Sequence, residues 1–166
     1  KMSQEDFALM VKANIGFIMI GIESGSQKML DRMKKGFSVE AISRVNRKLA
    51  LYPEIIPHYN FFVGIPGETI DDLISTKELL FQLMEENPGC YLGFGSDWKP
   101  IPGSEMTALA QREYNLKIST TLEEWAEIDS FDAQDKISYP WYSKEHDSFI
   151  RMIQCASGII DRKLYK

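Results

Sequence analysis

The chain has 166 residues, 44% of them hydrophobic and 26% charged, which is enough for one ordinary domain with a core and excludes a disordered chain. With 19 Lys and Arg against 24 Asp and Glu the net charge is −5, a poor basis for gripping a nucleic-acid backbone. No apolar run approaches the ~20 residues of a membrane span, and Lys1-Met2-Ser3-Gln4-Glu5-Asp6 lacks the layout of a secretory signal. Two cysteines, Cys90 and Cys155, are too few for a disulfide framework, so a reducing, cytoplasmic setting is expected.

Glu5 to Ala13 reads as the end of an amphipathic helix, with Phe7, Leu9, Met10 and Val11 apolar. Gly16 to Ile22 is an unbroken apolar run, as for a strand buried on both faces of a parallel sheet. Glu23-Ser24-Gly25-Ser26 ends it. Ser26 is placed to cap a short helix over Gln27 to Met33 that Gly36 closes. Ser38 is placed to cap a second helix running to Leu51, with Ile42, Val45 and Leu49 as its apolar face.

After Pro53 and Pro57, Tyr59 to Ile65 reads as a second strand, ended by Pro66-Gly67-Glu68-Thr69. A long helix follows over Ile70 to Glu86, with Leu73, Leu79, Leu80, Leu83 and Met84 as its buried stripe, and Asn87-Pro88-Gly89 stops it. A third strand from Cys90 through Phe94 towards Trp98 ends in Lys99-Pro100-Ile101-Pro102-Gly103-Ser104. Strands joined by helices pair in parallel, so the fold class is α/β. Beyond it, Glu105 to Tyr114, Leu122 to Asp129 and Glu145 to Leu164 read as helices, with a polar and aromatic linker over Ser130 to Ser143. Residues 1–109 form the β/α part and 110–166 a helical C-terminal extension.

Each strand therefore ends at its C-terminal edge in small and polar turn residues, the place where α/β proteins hold ligands. Glycine there permits close backbone approach. Gly21-Ile22-Glu23-Ser24-Gly25-Ser26, then Leu30 and Lys34-Lys35-Gly36, then Val63-Gly64-Ile65-Pro66-Gly67-Glu68-Thr69 together resemble the C-terminal half of a radical S-adenosylmethionine (SAM) domain. The likeness runs from about Glu5 to Leu109 and is nearest the cobalamin-associated branch that includes Mg-protoporphyrin ester cyclase-like proteins. Pro100 to Ser104 resembles the turn after that branch's sixth strand.

The resemblance implies strands four to six of a partial (β/α)6 TIM-type barrel. It implies that Glu23, helped by Ser24, holds the SAM ribose, and that Lys35 pairs with the SAM carboxylate. Asn60, Phe62 and Gly64 would lie beside the adenine, and Ile101 would flank it. Glu68 sits one residue further along than in some branches, and a loop-holding role suits it. The parent enzyme would carry a [4Fe–4S] cluster, with cobalamin as a further candidate cofactor. It would cleave SAM reductively to a 5′-deoxyadenosyl radical for methyl transfer, ring closure or a related step on a small-molecule substrate.

The three-cysteine run that such a cluster needs is not in this sequence: Cys90 and Cys155 lie 65 residues apart. Cys90 reads as a small buried hydrophobe. The chain then reads as a truncated piece, inactive alone, which dimerises through the edges of an incomplete sheet. His58 and His146 lack metal-ligand spacing. Asp97-Trp98-Lys99 and Tyr139-Pro140-Trp141-Tyr142 either line a substrate cavity or pack as core aromatics. The alternative function is a non-catalytic α/β module that binds a nucleotide or a protein; a hydrolase is set aside for want of a nucleophile elbow.

Overall fold

A computed structural model describes residues 3–119, 121–124 and 139–153. The end of the helix from Leu122, most of the linker, the end of the last helix and Cys155 lie outside the described residues. Helix α1 (Gln4–Lys12) opens on a capping box between Ser3 and Asp6. It is followed by β1 (Phe17–Glu23), α2 (Gln27–Arg32), α3 (Val39–Leu49), β2 (Ile56–Val63), α4 (Ile70–Glu86), β3 (Tyr91–Asp97) and α5 (Glu105–Tyr114).

The three strands form one parallel sheet in the order β1-β2-β3. This is the α/β unit expected from the alternating periods; a TIM-type barrel is a further step that three strands do not display. Ser26, Ser38, Thr69 and Ser104 cap the helices that follow them, each accepting a backbone N–H in the first turn.

One face of the sheet makes the core. Ile22, Tyr59, Phe61 and Leu92 pack against Leu30, Ile42, Leu79 and Leu83 from the helices. The opposite face is open among the described residues: Phe17 and Met19 are 53% and 65% exposed. Strand β1 is thus not buried on both faces, because helices cover only one.

The structure corrects two further expectations. The buried face of α3 is Ile42, Asn46 and Leu49, and Val45 points outward. Asn46 is fully buried because both ends of its amide are satisfied: it donates to the Leu83 carbonyl at 2.8 Å and accepts from the Tyr59 hydroxyl at 3.0 Å. Helix α2 ends before Gly36, with Lys34 taking the left-handed turn at φ +56 and the Lys35 N–H closing on the Leu30 carbonyl at 3.0 Å.

Candidate functional site at the strand tips

The parallel arrangement brings the carboxyl ends of β1, β2 and β3 side by side. On the open face the register aligns Gly21, Asn60 and Gly93 in one row across the sheet. A side chain at Gly21 would strike the Glu23 carboxylate, and one at Gly93 would meet His58 and Asn60 at 2.6 and 2.8 Å. The two glycines thus make room for these polar side chains to fold over the strands, with Asn60 at the centre of the row. Gly93 was not singled out from the sequence, although an isolated glycine inside a strand is a known sign of close approach.

Glu23 ends β1 at a register irregularity, with φ +75. A non-glycine residue there is strained, and such strain concentrates at functional positions. Its Oε1 lies 3.3 Å from the Lys35 ammonium, and its Oε2 is covered with no hydrogen-bond partner. The reversal at Lys34 is what returns Lys35 to the β1 tip, twelve residues from its partner. A covered acceptor beside a cation suits a ligand carrying hydroxyls and a carboxylate.

The other residues singled out from the sequence separate. Asn60 and Phe62 are half-buried on the open face of β2. Gly64 takes φ +83 in the loop after β2. Ile101 is 65% exposed in the loop after β3. Ser24 is buried and faces α4: its hydroxyl lies 3.3 Å from that of Thr76 and accepts the Ser26 N–H at 3.1 Å. Ser24 therefore anchors the β1 tip to α4 instead of standing beside Glu23 on the open face.

Asp72 does the same for α4. It closes a capping box with Thr69, accepts from the Ser26 hydroxyl at 2.6 Å and pairs with Lys28 at 2.5 Å. Burial pushes its carboxyl upward, but the bonds from Lys28, Ser26 and Thr69 outweigh that and hold it below the usual range.

Glu68 is the buried acid of the site, 2% exposed. Its Oε2 accepts the Gly64 N–H at 2.9 Å and the Tyr142 hydroxyl at 2.8 Å, while Oε1 has no partner. Burial pushes its carboxyl up to about 7, against the opposing effect of the Tyr142 and Gly64 bonds. The fold therefore holds a proton on Glu68 that the unfolded chain gives up near the ordinary glutamate value of 4.5. Stability from this group is fully present below about pH 4.5 and is lost as pH rises through 7. In Glu68→Gln the decline in melting temperature between pH 5 and 7.5 should flatten, removing a stability change on the order of 3 kcal/mol. An unchanged slope would assign the titration elsewhere.

The aromatic residues of the C-terminal part pack on the tips and on one another. Trp98 and Tyr139 are buried, their rings 6.0 Å apart, and Tyr139 stacks on Trp141 at 5.0 Å. Between a cavity lining and core packing, the structure chooses packing for these rings.

No described group of three or more His, Cys, Asp or Glu side chains is arranged to hold a metal ion. Cys90 is 3% exposed, and burial raises its thiol to about 11, the opposite of a thiolate ligand. The described residues fit the polar groups of SAM but not an iron–sulfur cluster. No helix among them is long and apolar enough to cross a membrane.

Fold and tips together define a parallel α/β segment whose strand tips lie side by side. No family model matches the chain. It is similar to tRNA-2-methylthio-N(6)-dimethylallyladenosine synthases: that of Aromatoleum aromaticum is 33% identical over 97 residues, 58% of this chain and 21% of the relative. That of Leptothrix cholodnii is 31% identical over 107 residues, 63% of this chain and 22% of the relative, and that of Nitrosomonas europaea 36% over 91 residues, 54% and 19%. The chain thus spans about a fifth of the length of these relatives. The likeness supports the radical SAM family and an enzymatic parent, and lends no support to the cobalamin-associated branch or to cobalamin as a cofactor.

Proposed function

We propose that the chain is a segment of a radical SAM enzyme and that its strand tips hold the nucleoside and amino-acid ends of SAM. The observation that carries this reading is the Glu23–Lys35 pair set over the glycine-flanked Asn60 row. Glu23 accepts the ribose hydroxyls, Lys35 neutralises the SAM carboxylate, and Asn60 and Phe62 bound the base, with Gly64 and Ile101 at its margin. SAM, when bound to a reduced cluster supplied by other residues, provides a radical initiator. What this chain's residues do is bind and orient it. The cluster thiolates are not among them, which makes the segment inactive alone.

The test is equilibrium dialysis of SAM against the full-length gene product. Glu23→Ala should weaken binding at least tenfold, about 1.4 kcal/mol, and change stability by less than about 1 kcal/mol, because the attraction within this largely buried pair is offset by the desolvation of its carboxylate. Unchanged affinity with a lowered melting temperature would make Glu23 a structural residue.

The relatives' names specify a tRNA adenosine, and that likeness favours a tRNA as the parent's substrate over the small molecule that the resemblance implied. Formation of 5′-deoxyadenosine by the reconstituted full-length protein, with and without tRNA, separates the two substrates.

A further inference from the structure

We propose that Tyr142 and Tyr139 act as a strap that sets the 64–68 loop against the rim, with Glu68 as its buckle, making these three positioning residues for the nucleoside site. The proposal rests on the SAM reading above.

The loop after β2 is not held by its own strand pairing. Gly64 has φ +83 and Gly67 φ +81, so the backbone turns twice within four residues. Its inward N–H, that of Gly64, is satisfied by the Glu68 carboxylate four residues on. That carboxylate is in turn fixed from outside the loop by the Tyr142 hydroxyl, 74 residues away. Tyr139 closes the other side. A Cβ at Gly64 would lie 2.6 Å from its ring, so the ring lies directly on the glycine.

The strap also spans two strand tips. The Tyr139 hydroxyl donates to the Trp98 carbonyl just past β3, and the Trp98 N–H donates to the Val63 carbonyl at the end of β2 at 2.7 Å. The backbone bond joins the tips of β2 and β3 directly, and Tyr139 ties the C-terminal segment to that junction. Leaving a buried acceptor such as the Glu68 Oε2 unmet is expensive. The seating of the 64–68 loop, and with it any ligand contact from the loop, therefore depends on the C-terminal segment.

The groups acting on Glu68 are Tyr142 from the strap and Asp72 from α4. His146 stacks on Tyr142 at 4.8 Å, and the Arg32 guanidinium of α2 and the Tyr114 hydroxyl of α5 reach the neighbouring Gly67. The side-chain donor that meets the Glu68 carboxyl is the Tyr142 hydroxyl.

The experiment uses the full-length protein with three variants: Tyr142→Phe, Tyr139→Phe and Glu68→Gln. Amide hydrogen exchange over 62–68 reads the strap, and equilibrium dialysis with SAM reads the site. Tyr142→Phe should exchange the loop amides about tenfold faster, leave those of α3 unchanged, and weaken SAM binding about tenfold. Glu68→Gln, whose amide oxygen still accepts both bonds, should stay within about threefold of wild type in both measurements at neutral pH. If Tyr142→Phe does not fold, Tyr139→Phe carries the same expectation.

Unchanged loop exchange in the Phe variants would overturn the strap. Faster exchange with unchanged SAM affinity would overturn the positioning role. A Gln variant as impaired as Tyr142→Phe would overturn the assignment of Glu68 as an acceptor. A wild-type protein that binds no SAM would sink the underlying reading and the positioning role together, and the exchange data would then stand as a statement about the fold alone.

Discussion

Phe61→Ala should destabilise the chain by about 3–5 kcal/mol, whereas Phe62→Ala, its immediate neighbour, should cost about 1 kcal/mol or less. The two rings leave the same strand on opposite faces. Phe61 is fully buried at the centre of the sheet, in the cluster that includes Ile22, Leu79, Leu83 and Leu92. Removing it leaves a void that three helices and two flanking strands can close only by moving together. Phe62 is half-buried on the face that no described element covers, so truncation exposes little that was dry. Urea denaturation with an unchanged dependence on denaturant gives both values. A Phe62→Ala loss as large as that of Phe61→Ala would make Phe62 core and remove it from the candidate site.

Gly25→Ala should cost about 3 kcal/mol, at the upper end for overpacking, and lower the melting temperature by roughly 6–12 °C in a chain of this size. The atoms a Cβ would strike are backbone: the Thr76 Cα at 2.5 Å, the Ser75 carbonyl oxygen at 2.6 Å and the Thr76 nitrogen at 2.9 Å. Backbone in the middle of α4 cannot rotate out of the way as a side chain can. The same step would break the bond from the Gly25 N–H to the Thr76 hydroxyl, 2.9 Å long. It would shift the β1 tip that bears Glu23. Gly36→Ala is the control. Nothing lies within 4 Å of its Cβ position, although φ is +72, so only the backbone penalty of roughly 1 kcal/mol remains. Equal losses at the two positions would show that close packing on α4 is not what requires glycine at position 25.

Gly25 also shows where a correct local reading served a different purpose. A glycine in a turn after a strand was expected to admit a ligand; it admits a helix. The turn itself was legible because Ser, Gly and a following amphipathic stretch are local signals, but which neighbour comes close is not a local property. Helix α3 repeats the lesson. Its start at Ser38 follows from capping chemistry, yet the inward face holds Asn46 in place of Val45, because Tyr59 and the Leu83 carbonyl supply partners for the amide. Hydrophobic periodicity could not anticipate partners 13 and 37 residues away.

The candidate site divides in the same way. Glu23, Lys35, Asn60, Phe62 and Gly64 were named as site residues by the family resemblance that the strand-end motifs carry. The row across the sheet was not legible, since Gly21 and Gly93 align with Asn60 only through the register of three strands. Glu68 was legible as a loop residue, but its partner Tyr142 was hidden by 74 intervening residues.

By itself the amino-acid order determined where the helices start and that the strands run parallel, because capping and crossover length act over a few residues. Only the tertiary structure decided which sheet face is open, what Gly25 packs against and what holds the buried Glu68 carboxylate. Those outcomes depend on contacts between elements distant along the chain, and packing and desolvation are settled only when those elements meet.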